Sequence, residues 1–560
     1  MSSRPDPAYQ ATAGLGPPLL PLVEGQAGVG AGPTLFCVNP ATGEAFGHVA
    51  CANSEEIDRA VESAAFAAKL WRSAPFEEHA RALNRLAERV RLEAEEIAGL
   101  IALEQGKPFV EALNLEILPA LDHLRFLAKH ARDLLHGEPI DPRHPLYAHK
   151  DAFYLYDPVG VVALVTSSPL PFAQPLVQAA TALVLGNAVV LKPSEHTPMC
   201  GLRVGQLCVD SGFPAGLVNV VPASREDTLH LVSHERIDKV FVSGSLEAGQ
   251  NVMVTAGCAP RPVVLALGGK HPAIVAADAD LDRAARGIVW GAFANAGQNC
   301  GAVERCYVEE AVAARFIARV LELVDALRIG DPLSKEVEIG PMVSEDRRQH
   351  VHAHVEDAVR RGARLLRGGT MPDGPGFFYP PTVVLDPPED ALILNEETCG
   401  PALAVVVVPN IERALMLANE SEYAMTASGW TSSPENGERI AAGLEAGVVT
   451  INDVLYAWGE PAASWSGFKR SGLGQVHGRA GLQEMVRRRF VSFDAEPGLS
   501  PLFAFPYDEP ADHMARTALA AMHAPTKRKR FFGVLRLVRN ARFRERVNWK
   551  SFLLGRKRQK

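Results

Sequence analysis

No run of eighteen or more apolar residues occurs in the 560-residue chain, and its first residues lack a basic segment followed by an apolar core. A membrane-spanning helix and a secretory signal are therefore not expected, and a cytoplasmic location is. Cysteine is sparse and scattered: Cys37, Cys51, Cys200, Cys208, Cys258, Cys300, Cys306 and Cys399 show neither C-x-x-C nor Cys/His ligand spacing. That pattern argues against a structural zinc site and against a disulfide framework, so no metal is expected. Acidic residues are nearly missing from one stretch alone. Ala524 to Lys560 holds fourteen Lys/Arg against Glu545, a charge of +13 that leaves −21 for the rest of a chain of net charge −8. A basic tail on an acidic body marks an interaction segment. Otherwise 47% hydrophobic and 22% charged residues are ordinary for a globular protein of two or three domains.

Residues 1–32, rich in Pro, Gly and Ala, read as a disordered lead-in. After the turn Asn39-Pro40-Ala41-Thr42-Gly43, Asn53 and Glu56 have capping-box spacing. Ile57, Ala60, Val61, Ala64, Ala68 and Trp71 follow at helical spacing, and amphipathic helix continues to about Leu135. Gly137 to Asp157 is proline-punctuated and partly alternating, as a projecting hairpin would be. From Val161 the pattern changes to short β-branched runs separated by helix-length segments: VVALVT (161–166), AVVLK (188–192), VNVV (218–221), KVFV (239–242) and VVLAL (263–267). This is a parallel α/β signature. A second, less regular α/β region follows, with helices near 310–327 and 345–362.

Two segments stand where an open α/β sheet binds its ligand. Lys192, Ser194 and Glu195 follow the run AVVLK directly, at a strand's carboxyl end. Ser243, Gly244, Ser245 and Gly249 lie between KVFV and a helix, where backbone N–H groups and the helix dipole can face a pyrophosphate. A third segment, GAFANAGQNCGA (291–302), presents Cys300 on a small-residue loop. A nucleophilic thiolate needs a helix N-terminus, a cation or a polar cradle to form at neutral pH, and Gln298 and Asn299 are candidates for part of that cradle.

With Gly297, the Gly-Gln-x-Cys run resembles the catalytic segment of the NAD(P)-dependent aldehyde dehydrogenase superfamily. Further matching segments follow in order: Gly268-Gly269-Lys270-His271-Pro272, Glu396-Glu397-Thr398-Cys399-Gly400-Pro401, Asn452, and Ser471-Gly472-Leu473-Gly474. The resemblance covers roughly residues 34–497. It implies an α/β fold with a Rossmann-like NAD(P) domain (33–136 and 158–267) and a second α/β catalytic domain (268–485). It also implies an oligomerisation element (137–157 with 486–497) serving a homodimer or homotetramer, which leaves 498–560 as an extension with a basic amphipathic tail. It further implies that Cys300 attacks an aldehyde and is left as a thioester, that Lys192 and Glu195 bind the adenine ribose, and that Glu397 binds the nicotinamide ribose. Glu195 favours NAD over NADP, because a carboxylate at the 2′-hydroxyl repels a 2′-phosphate.

Four positions depart from the pattern. Pro169 stands for the asparagine whose amide helps form the oxyanion hole, and Ala266 for the glutamate that activates the cysteine or the deacylating water. Cys399 stands for a phenylalanine and Val476 for a glutamate. Three readings follow: an oxidising dehydrogenase that is slow or uses another base, an acyl-transferring enzyme whose thioester passes to a thiol such as coenzyme A, and a non-catalytic relative that keeps its cofactor site. His271 is near in sequence with a suitable unperturbed pKa, but a core or surface role is the better expectation for it. In the tail, Phe531, Val534, Leu535, Val538, Ala541, Trp549, Phe552 and Leu553 lie roughly on one helical stripe among Lys and Arg. The stripe suits an interfacial helix on anionic lipid or a helix docked on protein; no specific nucleic-acid binding is expected.

Overall fold

The computed structural model describes residues 16–140, 145–147, 150–494, 500, 504–548 and 552. The chain divides into two compact units, one comprising residues up to Leu134 with Pro158–Val486, the other Leu135–Asp157 with Arg487–Lys560.

The first unit is built on two sheets. The runs read as strands form Val161–Val165, Ala188–Lys192, Val218–Val220, Lys239–Gly244 and Val263–Leu267, most of their residues buried as a sheet covered on both faces requires. They are mutually parallel, in the spatial order third, second, first, fourth, fifth. The order reverses between Val161–Val165 and Lys239–Gly244, so the crevice for a ligand opens beyond the carboxyl ends of those two strands. Gly472–Leu473 closes one edge, antiparallel to Leu265 and Ala266. The second sheet has seven strands, all parallel except the edge strand Arg364–Arg367. Among them are His271–Val275 and Val303–Glu309 on either side of the Cys300 loop.

The lead-in reading fails for residues 16–32. Leu22 and Val23 are buried, Leu22 pairs with Val220 of the first sheet, and the Leu19 N–H donates to His48 O at 3.0 Å. Two-residue strands are too short to show a period, which is why the pattern was invisible. The helix Ser54–Trp71 buries the expected stripe, and Asn53 caps it by accepting from the Glu56 N–H. Glu56, however, does not complete the capping box. Its carboxylate accepts from the N–H groups of Val29, Gly30 and Ala31 at 2.7–3.1 Å, and so ties the N-terminal segment down.

In the second unit, Pro139–Ile140, Lys150–Pro158 and Val486–Asp494 form a three-stranded sheet. The tail is not one free amphipathic helix. Helix Lys527–Arg539 ends before Asn540, which caps a short helix Ala541–Arg546 by accepting from the Phe543 N–H. Val534, Leu537, Val538 and Phe543 pack with Leu146 and with Met514, Ala518 and Ala521 of helix Glu509–His523. Gly533 lies against Ala521, where a Cβ would come within 2.6 Å of the Ala521 Cα. Of the two expectations for the stripe, docking on protein holds for Val534 and Val538, and the partner is helix Glu509–His523 of the same chain. Trp549 and Leu553 lie outside the described residues. Among the described residues no helix is long and apolar enough to cross a membrane.

Candidate active site

A cleft of about 400 Å³ opens beyond the carboxyl ends of the first sheet's strands. Thr166 to Pro169, Lys192 with Ser194 and Glu195, Ser243 to Ser245, Ala266 to Gly268, Cys300, Arg347, Glu397 and Cys399 all line it. The cleft thus unites Cys300 with every cofactor residue expected from sequence except Gly249. That glycine stands where a Cβ would meet Leu267 at 2.7 Å, so its smallness lets helix Leu246–Gly257 approach the sheet; it does not face the cleft.

The cleft is chemically graded. At one end lie Lys192, whose burial lowers its pKa against the opposing field of Glu195, and the first turn of helix Leu246–Gly257, capped by Ser245 accepting from the Ala248 N–H. The Ser243 and Ser167 hydroxyls are 2.8 Å apart. A cation, hydroxyls and free helical N–H groups suit the phosphates and ribose of a dinucleotide. At the other end Glu397 lies over Gly268, where any Cβ would collide with its carboxylate. Burial, reinforced by the charge of Glu304, pushes Glu397 up to about 7. The donor set fits NAD(P).

The loop bearing Glu397 is fixed from behind. Lys270 is fully buried, ion-pairs with Glu304 and donates to Thr398 Oγ1 at 2.7 Å. Glu304 in turn accepts from the N–H groups of Thr398 at 3.0 Å and Cys399 at 2.8 Å. Lys270→Met would leave Glu304 charged and unpaired in the interior, a change that costs about 3–5 kcal/mol. Thermal unfolding is expected to register that loss, whereas a wild-type midpoint would show the pair to be dispensable.

Cys300 follows a strained turn. Asn295, Ala296 and Gly297 are all left-handed (φ 54°, 52° and 70°), and a side chain at Gly297 would collide with the Gly400 carbonyl. The expected cradle is not there. Gln298 spends its amide on Asn295 O, Pro341 O and the Val343 N–H. Asn299 turns its carbonyl oxygen toward the sulfur, at 3.9 Å. Burial, with Glu397 adding to it, pushes the thiol up to about 12.

Pro169 and Ala266 bring no side-chain donor or base of their own. Pro169 offers the site only a carbonyl, which already accepts from Lys107 Nζ at 2.8 Å and Asn295 Nδ2 at 3.3 Å. Ala266 brings a methyl group to the cleft. His271 is buried in its strand, 2.9 Å from Ala302 O, and held down to about 4 by burial. It borders a separate small cavity beside Trp465. Sequence reasoning missed Arg347, a cleft cation on helix Glu345–Arg360 whose side chain also reaches Thr398 O at 3.4 Å. It stands among acidic and basic neighbours in the helix expected near 345–362, with no motif to single it out.

The pattern of the aldehyde dehydrogenase family matches residues 30–491. A succinate semialdehyde dehydrogenase [NAD(P)+] of Escherichia coli K12 is 33% identical over 454 residues, 81% of this chain and 96% of that protein. The mitochondrial aldehyde dehydrogenase of Equus caballus is 35% identical over 466 residues, 82% of this chain and 91% of that protein. Among solved structures, lactaldehyde dehydrogenase from Escherichia coli superposes with a TM-score of 0.81 at 31% identity, covering 85% of this chain and 99% of that one. The NAD+ complex of an aldehyde dehydrogenase from Bacillus cereus gives 0.81 at 31% identity, covering 86% and 98%. The fold, the cleft and these likenesses agree: the chain belongs to the aldehyde dehydrogenase family of NAD(P)-dependent oxidoreductases.

Proposed function

We propose that this protein oxidises an aldehyde through a thiohemiacetal and then a thioester on Cys300, and that the acyl group leaves faster to a thiol than to water. The observation that carries the reading is the cleft itself. It joins Cys300 to Lys192, Glu195, Glu397 and the start of helix Leu246–Gly257, while position 266 has no carboxylate. When bound, NAD(P)+ supplies the hydride acceptor. Lys192, Glu195, Ser243 to Ser245 and Glu397 are assigned to holding it, with NAD preferred because of Glu195. Cys300 gives its proton to solvent and attacks the carbonyl carbon as thiolate, and its own backbone N–H is the donor left for the developing alkoxide. Hydrolysis of the resulting thioester requires a base that places and deprotonates water, and Ala266 provides none.

The test is to mix purified protein with NAD+ and a panel of aldehydes, with and without coenzyme A, and to follow reduced cofactor and protein mass together. NADH formation that Cys300→Ser abolishes supports the reading. No NADH and no adduct with any aldehyde, from folded protein that binds NAD+, would favour a non-catalytic relative.

The second unit bears on assembly and location. Phe490 and Phe493 of strand Val486–Asp494 are exposed, which supports a homodimer or homotetramer formed through this sheet. Lys527 to Arg530 crowd the first turn of their helix, where the dipole disfavours cations, and Phe531 and Phe532 beside them are 61% and 50% exposed. Cations next to exposed aromatics suit the surface of an anionic membrane, reached from the cytoplasm. Light scattering and sedimentation with phosphatidylserine vesicles test both proposals. A monomer would overturn the first. Equal sedimentation of wild type and Phe531→Ala/Phe532→Ala would overturn the second.

A further inference from the structure

The turn before Cys300 has three successive left-handed residues, two of them non-glycine. Each non-glycine residue in that region costs ~1–2 kcal/mol, so the turn persists only if its surroundings hold it. Helix Leu281–Phe293 has ended by this point, and the Asn295 N–H, turned inward, has no carbonyl partner. It donates instead to Glu111 Oε2 at 2.7 Å. Asn295 then uses its own amide across the site, donating to Gln298 O at 2.7 Å and Pro169 O at 3.3 Å.

Glu111 belongs to a short segment that sends three charged side chains inward. Lys107, four residues before it, donates to Pro169 O at 2.8 Å and ion-pairs with Glu116. Glu116 Oε2 accepts from the N–H groups of Phe172 and Ala173, both at 2.9 Å. The segments that bring Pro169 and Cys300 to the cleft, Pro169 to Ala173 and Asn295 to Cys300, are therefore both tied to residues 107–116. The π-helical turn Ala112–Ile117 sets Glu116 out of step with Glu111, and such turns recur at functional sites. Lys107 is matched to Glu116, and Glu111 accepts from the Asn295 N–H. Burial pushes its carboxyl up to about 7, a cost for which the fold of the segment alone gives no reason.

We infer that Glu111 is a positioning residue for Cys300: by holding the Asn295 N–H it keeps the strained turn closed and aims the sulfur at the aldehyde. The inference rests on the proposed role of Cys300, and two readouts separate its failure from the failure of that role. In a Cys258→Ser background, which removes the exposed thiol, Glu111→Ala and Glu111→Gln are compared with wild type. Releasing the turn is expected to let Cys300 swing toward water. Iodoacetamide should then label it at least fivefold faster in Glu111→Ala, while buried Cys306 stays protected. The NADH burst with aldehyde should fall at least tenfold at a KM within twofold of wild type. Glutamine keeps an acceptor oxygen, so Glu111→Gln should recover the burst to within about threefold. Labelling of Cys300 at the wild-type rate in Glu111→Ala overturns the inference, and so does labelling of Cys300 and Cys306 together, which would mean general loosening. If wild type gives no burst, the aldehyde reading fails, and the labelling result still decides the role of Glu111.

Discussion

Mixed with NAD+ and a reactive aldehyde, the protein is expected to release one equivalent of NADH per subunit, gain the mass of the acyl group on Cys300, and then stall. Attack and hydride loss need geometry and a weakened oxyanion hole, whereas hydrolysis needs a water held beside a base. The cleft offers no substitute. His271 is walled into its strand and held near pKa 4, and Glu397, whose charge is felt at Cys300, is assigned to the cofactor. A coenzyme A thiol should release the stall. Ala266→Glu should give repeated turnover without a thiol, and adding Pro169→Asn should quicken the burst by ~10²–10³, the usual worth of one oxyanion donor. Sustained turnover by the unaltered chain without a thiol would show that another base exists.

The second large effect concerns pH. With burial pushing its thiol up to about 12, Cys300 is far less ionised at pH 8 than an ordinary cysteine, of which roughly a quarter is thiolate. Alkylation of Cys300 in the free protein is therefore expected to be slow and to rise about tenfold per pH unit from 7 to 10. The sign for Glu397 follows from its charge: ionised, it opposes the thiolate, so Glu397→Gln should lower the Cys300 pKa and speed alkylation. Because Glu397 titrates near 7, that gain should be present above pH 7 and vanish below it, where the wild-type carboxyl is already neutral. Peptide mapping after timed iodoacetamide pulses reads Cys300 apart from exposed Cys258. A plateau reached by pH 8.5 would contradict the raised thiol.

The strands of the first sheet were legible because burial on both faces leaves continuous β-branched runs, and Ser54–Trp71 because its apolar stripe is long. Leu22–Val23 was illegible because two residues carry no period. Side-chain bookkeeping was harder still. Asn53 and Glu56 had the spacing of a reciprocal cap, but Glu56 found three N–H groups in a segment that looked unstructured. Gln298 looked like a partner for the sulfur and proved to brace the loop. Glycines of one motif also divide by role, since Gly244 lines the cleft and Gly249 packs on Leu267. Sequence names the residue types a site needs, but which neighbour each donor meets depends on segments tens of residues away that carry no local signal.

The three-stranded sheet of the second unit has a consequence for biosynthesis. Lys150–Pro158 pairs with Val486–Asp494, a strand that follows it by about 330 residues. At ~5–20 residues per second, a ribosome takes ~15–65 s to supply that partner. Throughout that interval the nascent chain presents an unpaired strand edge of the kind that recruits other chains. The first sheet waits too, because the edge strand Val263–Leu267 is covered only when Gly472–Leu473 emerges. Yield in cells should therefore respond more to translation rate and chaperone supply than the stability of the finished fold would suggest.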